Sequence, residues 1–132
     1  MEIIGHCYDG LPDEACGLLG GPLNHSTWEP TGQVDTVYCC VNADASARTY
    51  TVDSRDLIKA MRDAEGRGGG LIGVFHSHTH TEAYPSDTDV RQAADPTWIY
   101  VLVSLKAGGD PTLRAYRIVD GAIAEVSVTI DD

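Results

Sequence analysis

The sequence predicts an α+β fold in which two or three helices flank a mixed, largely antiparallel sheet. Three observations carry this. Runs of strand composition outnumber helical ones, and the best marked is residues 98–105 (WIYVLVSL), rich in the β-branched and aromatic residues that suit a pleated surface. Residues 113–119 and 122–130 form two further strands that meet at Asp120-Gly121, a strong two-residue hairpin signal. From Asp56, the apolar positions Leu57, Ile58, Ala60, Met61 and Ala64 recur at helical spacing. A length of 132 residues fits one domain with a core that needs no staples. Hydrophobic residues at 42% and charged residues at 22% exclude a disordered chain.

The elements follow in order. Residues 2–8 read as the remnant of a helix stopped by Asp9-Gly10. Residues 15–20 (ACGLLG) are short and apolar between Pro12 and Gly21-Pro22, which reads as a strand. Residues 24–32 are polar and hold Pro30, so a loop or weak hairpin is expected. Residues 34–42 (VDTVYCCVN) and 48–52 (RTYTV) have strand composition. Asp53-Ser54 are good N-cap residues for the helix that ends at Gly66, and Gly68-Gly69-Gly70 forms a turn. Residues 71–78 (LIGVFHSH) read as a buried strand, and residues 86–94 as a short helix ending before Asp95-Pro96. No repeat, low-complexity tract or linker divides the chain.

Charge and cysteines narrow the function classes. Twenty acidic against nine basic residues give a net charge of −11, which repels phosphate backbones and argues against a nucleic-acid partner. No apolar run approaches the ~18 residues of a membrane span. The start lacks the basic and apolar regions of a signal peptide. Cys7, Cys16, Cys39 and Cys40 contain no C-x-x-C pair, and two are adjacent. A reduced, cytoplasmic protein is expected, with all four thiols as small core residues.

The chemistry concentrates in residues 75–90, FHSHTHTEAYPSDTDV. His76 and His78 stand two apart on a strand, so their side chains project from one face. Two imidazoles at a strand end can grip one small cation. Asp89 supplies a third ligand if the loop 79–85 folds back. Two nitrogens and a carboxylate oxygen suit zinc and leave a fourth position open for a water that the ion activates. Simpler readings stand beside this one. Histidines at spacing two are common in edge strands. Ser86-x-x-Asp89 is also an ordinary capping box. His80 completes H-x-H-x-H and would be the third ligand if the strand continued.

The string H-S-H, seven residues, then S-x-x-D resembles the signature of the JAMM (MPN+) metalloprotease family. The family's other element is a glutamate in an early strand, within P-x-E-A-C-G-L-L-x-G. This chain carries Pro12-Asp13-Glu14-Ala15-Cys16-Gly17-Leu18-Leu19-Gly20. The likeness continues through Asn42, Tyr50 and GVFHSH and covers most of the chain. HSHT-x-TEAYPS-x-TDV, YVLVS and YRIVDGA are similar to a bacterial branch that releases cysteine from a ubiquitin-like sulfur carrier. The resemblance implies a cytidine-deaminase-like JAMM/MPN domain over residues 1–132. It implies Zn2+ held by His76, His78 and Asp89, with Glu14 as general acid/base and Ser86 stabilising the oxyanion. Proximity in sequence alone favours Glu82 over Glu14 as the base.

The implied activity is hydrolysis of the amide after the C-terminal Gly-Gly tail of that carrier, lying extended along a strand edge, with Ala83 and Tyr84 as candidate walls for a small leaving group. The alternatives are an isopeptidase that frees carriers from lysine or trims their precursors, and a non-catalytic MPN scaffold. Two departures matter. Only about ten residues precede Pro12, where the family usually has a further strand and a longer helix, which bears on the homodimer that the resemblance admits. The frequent H-S-H-P is H-S-H-T here, and the long insertions of eukaryotic members are missing.

Overall fold

A computed structural model describes residues 2–106 and 110–129. It contains α1 (Glu2–Asp9), β1 (Cys16–Gly21), β2 (Thr36–Cys40), α2 (Ser54–Gly66), β3 (Gly70–His78), α3 (Asp87–Gln92), β4 (Ile99–Ser104), β5 (Thr112–Val119) and β6 (Ala122–Val126). The strands form one sheet in the order β2-β1-β3-β4-β5-β6. β3 and β4 run parallel, and every other pairing is antiparallel. The mixed α+β architecture matches the expectation. Among the described residues, no helix is long and apolar enough to cross a membrane.

β3 is central because its composition admits nothing else: residues 72–78 are buried without interruption, as expected for a strand covered on both faces. Leu19 pairs with Gly73 but Gly20 with Leu71, so Ile72 is an extra residue in a β-bulge. The bulge resets the alternation. Ile72 and Phe75 face the layer that holds Ile3 and Cys7 of α1. Val74 faces the layer beneath α2, with Leu18, Ala60 and Tyr100. Beyond the bulge, His76 and His78 share the face of Val74. Gly17 sits where a Cβ would lie 2.2 Å from the Phe75 ring, so β1 approaches β3 closely only with glycine there.

α2 starts where Asp53 accepts hydrogen bonds from the N–H groups of Arg55 and Asp56. It seats on the sheet through Ala60 and Ala64, while Leu57, Ile58 and Met61 remain substantially exposed. The small alanines at i, i+4 let the helix come close, which leaves the larger apolar residues at its rim. At the other end of the sheet, Asp120 and Gly121 both take positive φ (50° and 80°), the mark of a tight hairpin turn between β5 and β6.

Three expectations are corrected. Residues 48–52 are not a strand; a lone bridge joins Asn42 to Val52. The Asn42 side chain takes over the backbone groups that a ladder would have used. Its amide donates to the carbonyls of Glu14 and Thr49, and its oxygen accepts from the N–H groups of Asp44 and Thr51. β6 ends at Val126, short of the expected 130, a residue outside those described. Cys7, Cys16 and Cys40 are buried, but Cys39 is exposed on edge strand β2.

Candidate active site

The connection from β3 to β4 carries the site. Because the two strands are parallel, the chain must cross over between them, and residues 79–98 do so by way of α3. His78 and Ser104 are register partners at the carboxyl ends of these central strands. Crevices at such strand ends are common places for ligands in parallel sheets.

His76, His78 and Asp89 converge there, each offering a ligand atom within 4.8 Å of the others. The two Nε2 atoms are 3.2 Å apart. Asp89 Oδ1 lies 3.2 Å from His76 Nε2, and Oδ2 lies 3.0 Å from His78 Nε2. Donors bonded at about 2.0–2.1 Å around a tetrahedral ion stand about 3.3 Å apart, so the spacing suits one small cation. The hydrogen bonding points the same way. His78 Nδ1 lies 2.8 Å from the Glu82 carbonyl, which can only accept, so Nδ1 carries the proton. The Nε2 lone pair of neutral His78 then faces a carboxylate oxygen, an arrangement that needs a cation, proton or metal, between them. The donor set therefore fits a metal.

The capping box and the cluster turn out to be one structure. Ser86 Oγ accepts from the Asp89 N–H, and Asp89 Oδ2 accepts from the Ser86 N–H at 2.9 Å. That second bond holds the Asp89 rotamer so that its other contacts reach the histidines. Burial works against an ionised Asp89, but hydrogen bonds from His76 and His78 outweigh it and hold the carboxyl far below its ordinary range. Burial lowers the His76 pKa. For His78, burial is outweighed by the Asp89 and Glu82 contacts, and its pKa is raised. Tyr50 stacks on His76 with ring centroids 4.3 Å apart.

Glu14 lies just before β1, only 7% exposed. Its N–H donates to the Ser46 carbonyl and its own carbonyl accepts from Asn42. The following N–H, of Ala15, donates to Ser77 Oγ at 2.8 Å, and Ser77 sits between the two histidines. Burial pushes the Glu14 carboxyl up to about 7, where a group takes and gives protons readily at neutral pH. Glu14, His78 and Ser86 line a cleft of about 440 Å³ with Ala47, Arg48, Thr79, His80 and Thr81.

The structure thus brings together the residues named from the motif. His80 is exposed on the cleft wall, and the third donor of the cluster is Asp89. Glu82 turns its side chain to solvent; its contribution is the backbone carbonyl held by His78. Ala83 is no wall of the cleft: it is buried against Leu102 and Tyr116. Tyr84 is exposed and stands edge-on to Tyr116. Sequence reasoning gave no role to Ser77 and Tyr116, whose hydrogen bonds to Ala15 and Ala83 span large separations along the chain, or to Arg48, which reaches the site only as a lining residue of the cleft.

The sheet and its convergent donors define a JAB-type domain. The family model described as prokaryotic homologs of the JAB domain matches residues 1–119, and the chain belongs to that family. It is 40% identical over 128 residues to the CysO-cysteine peptidase of Mycobacterium tuberculosis, covering 97% of this chain and 84% of that one. It is 26% identical over 135 residues to a desampylase of Haloferax volcanii, covering 98% and 90%. The solution structure of a Desulfitobacterium hafniense protein superposes with a TM-score of 0.83 at 33% identity, over 99% of this chain and 87% of that one.

Proposed function

We propose that this chain is a cytoplasmic zinc-dependent peptidase that hydrolyses the amide after the C-terminal Gly-Gly of a ubiquitin-like sulfur carrier and releases cysteine. The observation that carries the reading is the meeting of His76, His78 and Asp89 with Glu14 and Ser86 beside one cleft. The similarity to CysO-cysteine peptidase supports the substrate class.

Each residue has work suited to its setting. His76, His78 and Asp89 hold the ion. When bound, it supplies a Lewis acid that polarises the scissile carbonyl and acidifies water. Glu14, buried at the edge of the cleft, accepts the proton of the attacking water and returns it to the departing amine. Ser86 Oγ accepts from the Asp89 N–H, so its own O–H is free to donate to the developing oxyanion. The carrier tail enters extended, and its glycines let the backbone approach where side chains would not fit. Arg48 lines the cleft, and no acidic side chain among the described residues pairs with it. A departing cysteine brings a free carboxylate, for which this guanidinium is the partner.

The desampylase similarity supports a second reading, cleavage of carrier–lysine isopeptides. Comparing kcat/KM on a carrier ending in Gly-Gly-Cys and on a carrier–lysine isopeptide separates the two. A higher value on the cysteine adduct is expected. A higher value on the isopeptide transfers the assignment to the isopeptidase.

A further inference from the structure

The crossover loop that delivers Ser86 and Asp89 is fastened from below. Three consecutive carbonyls, of residues 81, 82 and 83, are each taken by a side chain from a different strand. Ser104 Oγ at the end of β4 donates to the Thr81 carbonyl at 2.6 Å. His78 Nδ1 at the end of β3 donates to the Glu82 carbonyl. The Tyr116 hydroxyl on β5 donates to the Ala83 carbonyl. The Glu82 carbonyl also accepts from the Tyr84 N–H, two residues on, which closes a tight turn. Successive carbonyls of an extended chain alternate in direction, so only a turned segment can give all three to the sheet beneath. Tyr116 is 1% exposed, and its ring packs with Ala83 and Leu102 and stands edge-on to Tyr84.

We propose that Tyr116 and Ser104 are positioning residues for the metal cluster, acting through the loop that bears Asp89. The inference rests on His76, His78 and Asp89 being the ligands. Asp89 is the one member of the cluster outside β3, so its place relative to the histidines depends on the path of residues 79–86. His78 is part of the same latch: the carbonyl that orients its ring belongs to the turn that Ser104 and Tyr116 hold. The latch therefore sets both the carboxylate and one imidazole. Neither hydroxyl touches substrate or ion. Removing a partner bonded directly to a metal ligand typically changes affinity by ~10–100-fold; these hydroxyls act one bond further out, so the low end of that range applies.

The test is Zn2+ affinity of the intact chain, by competition with a chromogenic chelator, for wild type, Tyr116→Phe and Ser104→Ala. Tyr116→Phe keeps the ring packing and removes only the hydroxyl. Ile118→Val, a truncation in the core on the same strand, serves as the control for general loosening, with melting of the metal-free proteins measured in parallel. The expected result is about tenfold weaker Zn2+ binding in each hydroxyl variant and wild-type affinity in Ile118→Val. Unchanged affinity in both hydroxyl variants overturns the inference. So does an equal loss in Ile118→Val, which would make the effect one of core stability. A wild-type chain that binds no Zn2+ overturns the ligand assignment itself, a different failure from a wild type that binds while the variants bind equally well.

Discussion

Glu14→Gln separates proton transfer from metal binding and exposes the cost of burying this carboxylate. The side chain is 7% exposed, and burial carries its pKa from 4.5 to about 7. Between those values the folded metal-free protein keeps a proton that the unfolded chain has released. The unfolded state then binds fewer protons, so stability falls as pH rises through this window and levels off above about 7. The shift corresponds to on the order of 3 kcal/mol, most of it lost between pH 5 and pH 8. Glutamine is neutral throughout and removes this contribution, while the other titrating groups are shared by both proteins. Urea unfolding of the metal-free proteins at pH 5 and pH 8 should therefore show wild type losing about 2–3 kcal/mol more than the variant. The variant should also retain its zinc and lose about 10²–10⁴-fold in turnover. Parallel pH dependence in the two proteins would refute the buried-carboxylate reasoning. Loss of zinc in the variant would make Glu14 a ligand, and full activity would remove it from proton transfer.

Other expectations test separate parts of the site. Ser86→Ala should cost about 1 kcal/mol of stability through the lost helix cap. It should keep zinc, because the Ser86 N–H still holds Asp89, and lose about 10²–10³-fold in turnover; normal turnover would exclude the hydroxyl from oxyanion stabilisation. Arg48→Ala should raise KM for a Gly-Gly-Cys adduct and leave KM for a lysine isopeptide unchanged, whereas equal effects on both would exclude recognition of the departing carboxylate. Burial pushes the Cys7 and Cys16 thiols up to about 12 and Cys40 to about 11, so alkylation of the native protein at pH 8 should mark Cys39 first. Peptide mapping that finds Cys16 modified as fast as Cys39 would contradict the burial of β1.

What the sequence disclosed followed the range of the interactions involved. The hairpin at Asp120-Gly121, the cap at Asp53 and the S-x-x-D box are local, so composition and spacing sufficed. β4 and the first two-thirds of β3 were legible because strands buried on both faces are apolar runs, and the buried polar end of β3, His76 to His78, is where the site lies. Residues 48–52 have strand composition, yet one side chain, Asn42, diverts their hydrogen bonds; propensity carries no sign of that. Glu14 reaches the histidines across the β1–β3 pairing, more than sixty residues along the chain, and only the family resemblance pointed to it. Ala83 read as a cleft wall because it is near Ser86 in sequence, but Tyr116 draws its carbonyl down to the sheet. The helical period of α2 was visible, but not that Ala60 and Ala64 would seat it while Leu57, Ile58 and Met61 stayed at the surface.

The most direct measurement is the mass of a small sulfur carrier ending in Gly-Gly-Cys after incubation with this protein. With zinc-loaded wild type, the carrier should lose the mass of its terminal cysteine and end at Gly-Gly. The same carrier should stay intact with protein stripped by a chelator and with the His76→Ala variant. A carrier left whole by the zinc-loaded protein, or cut equally well after chelation, would contradict metal-dependent release of cysteine from a Gly-Gly tail.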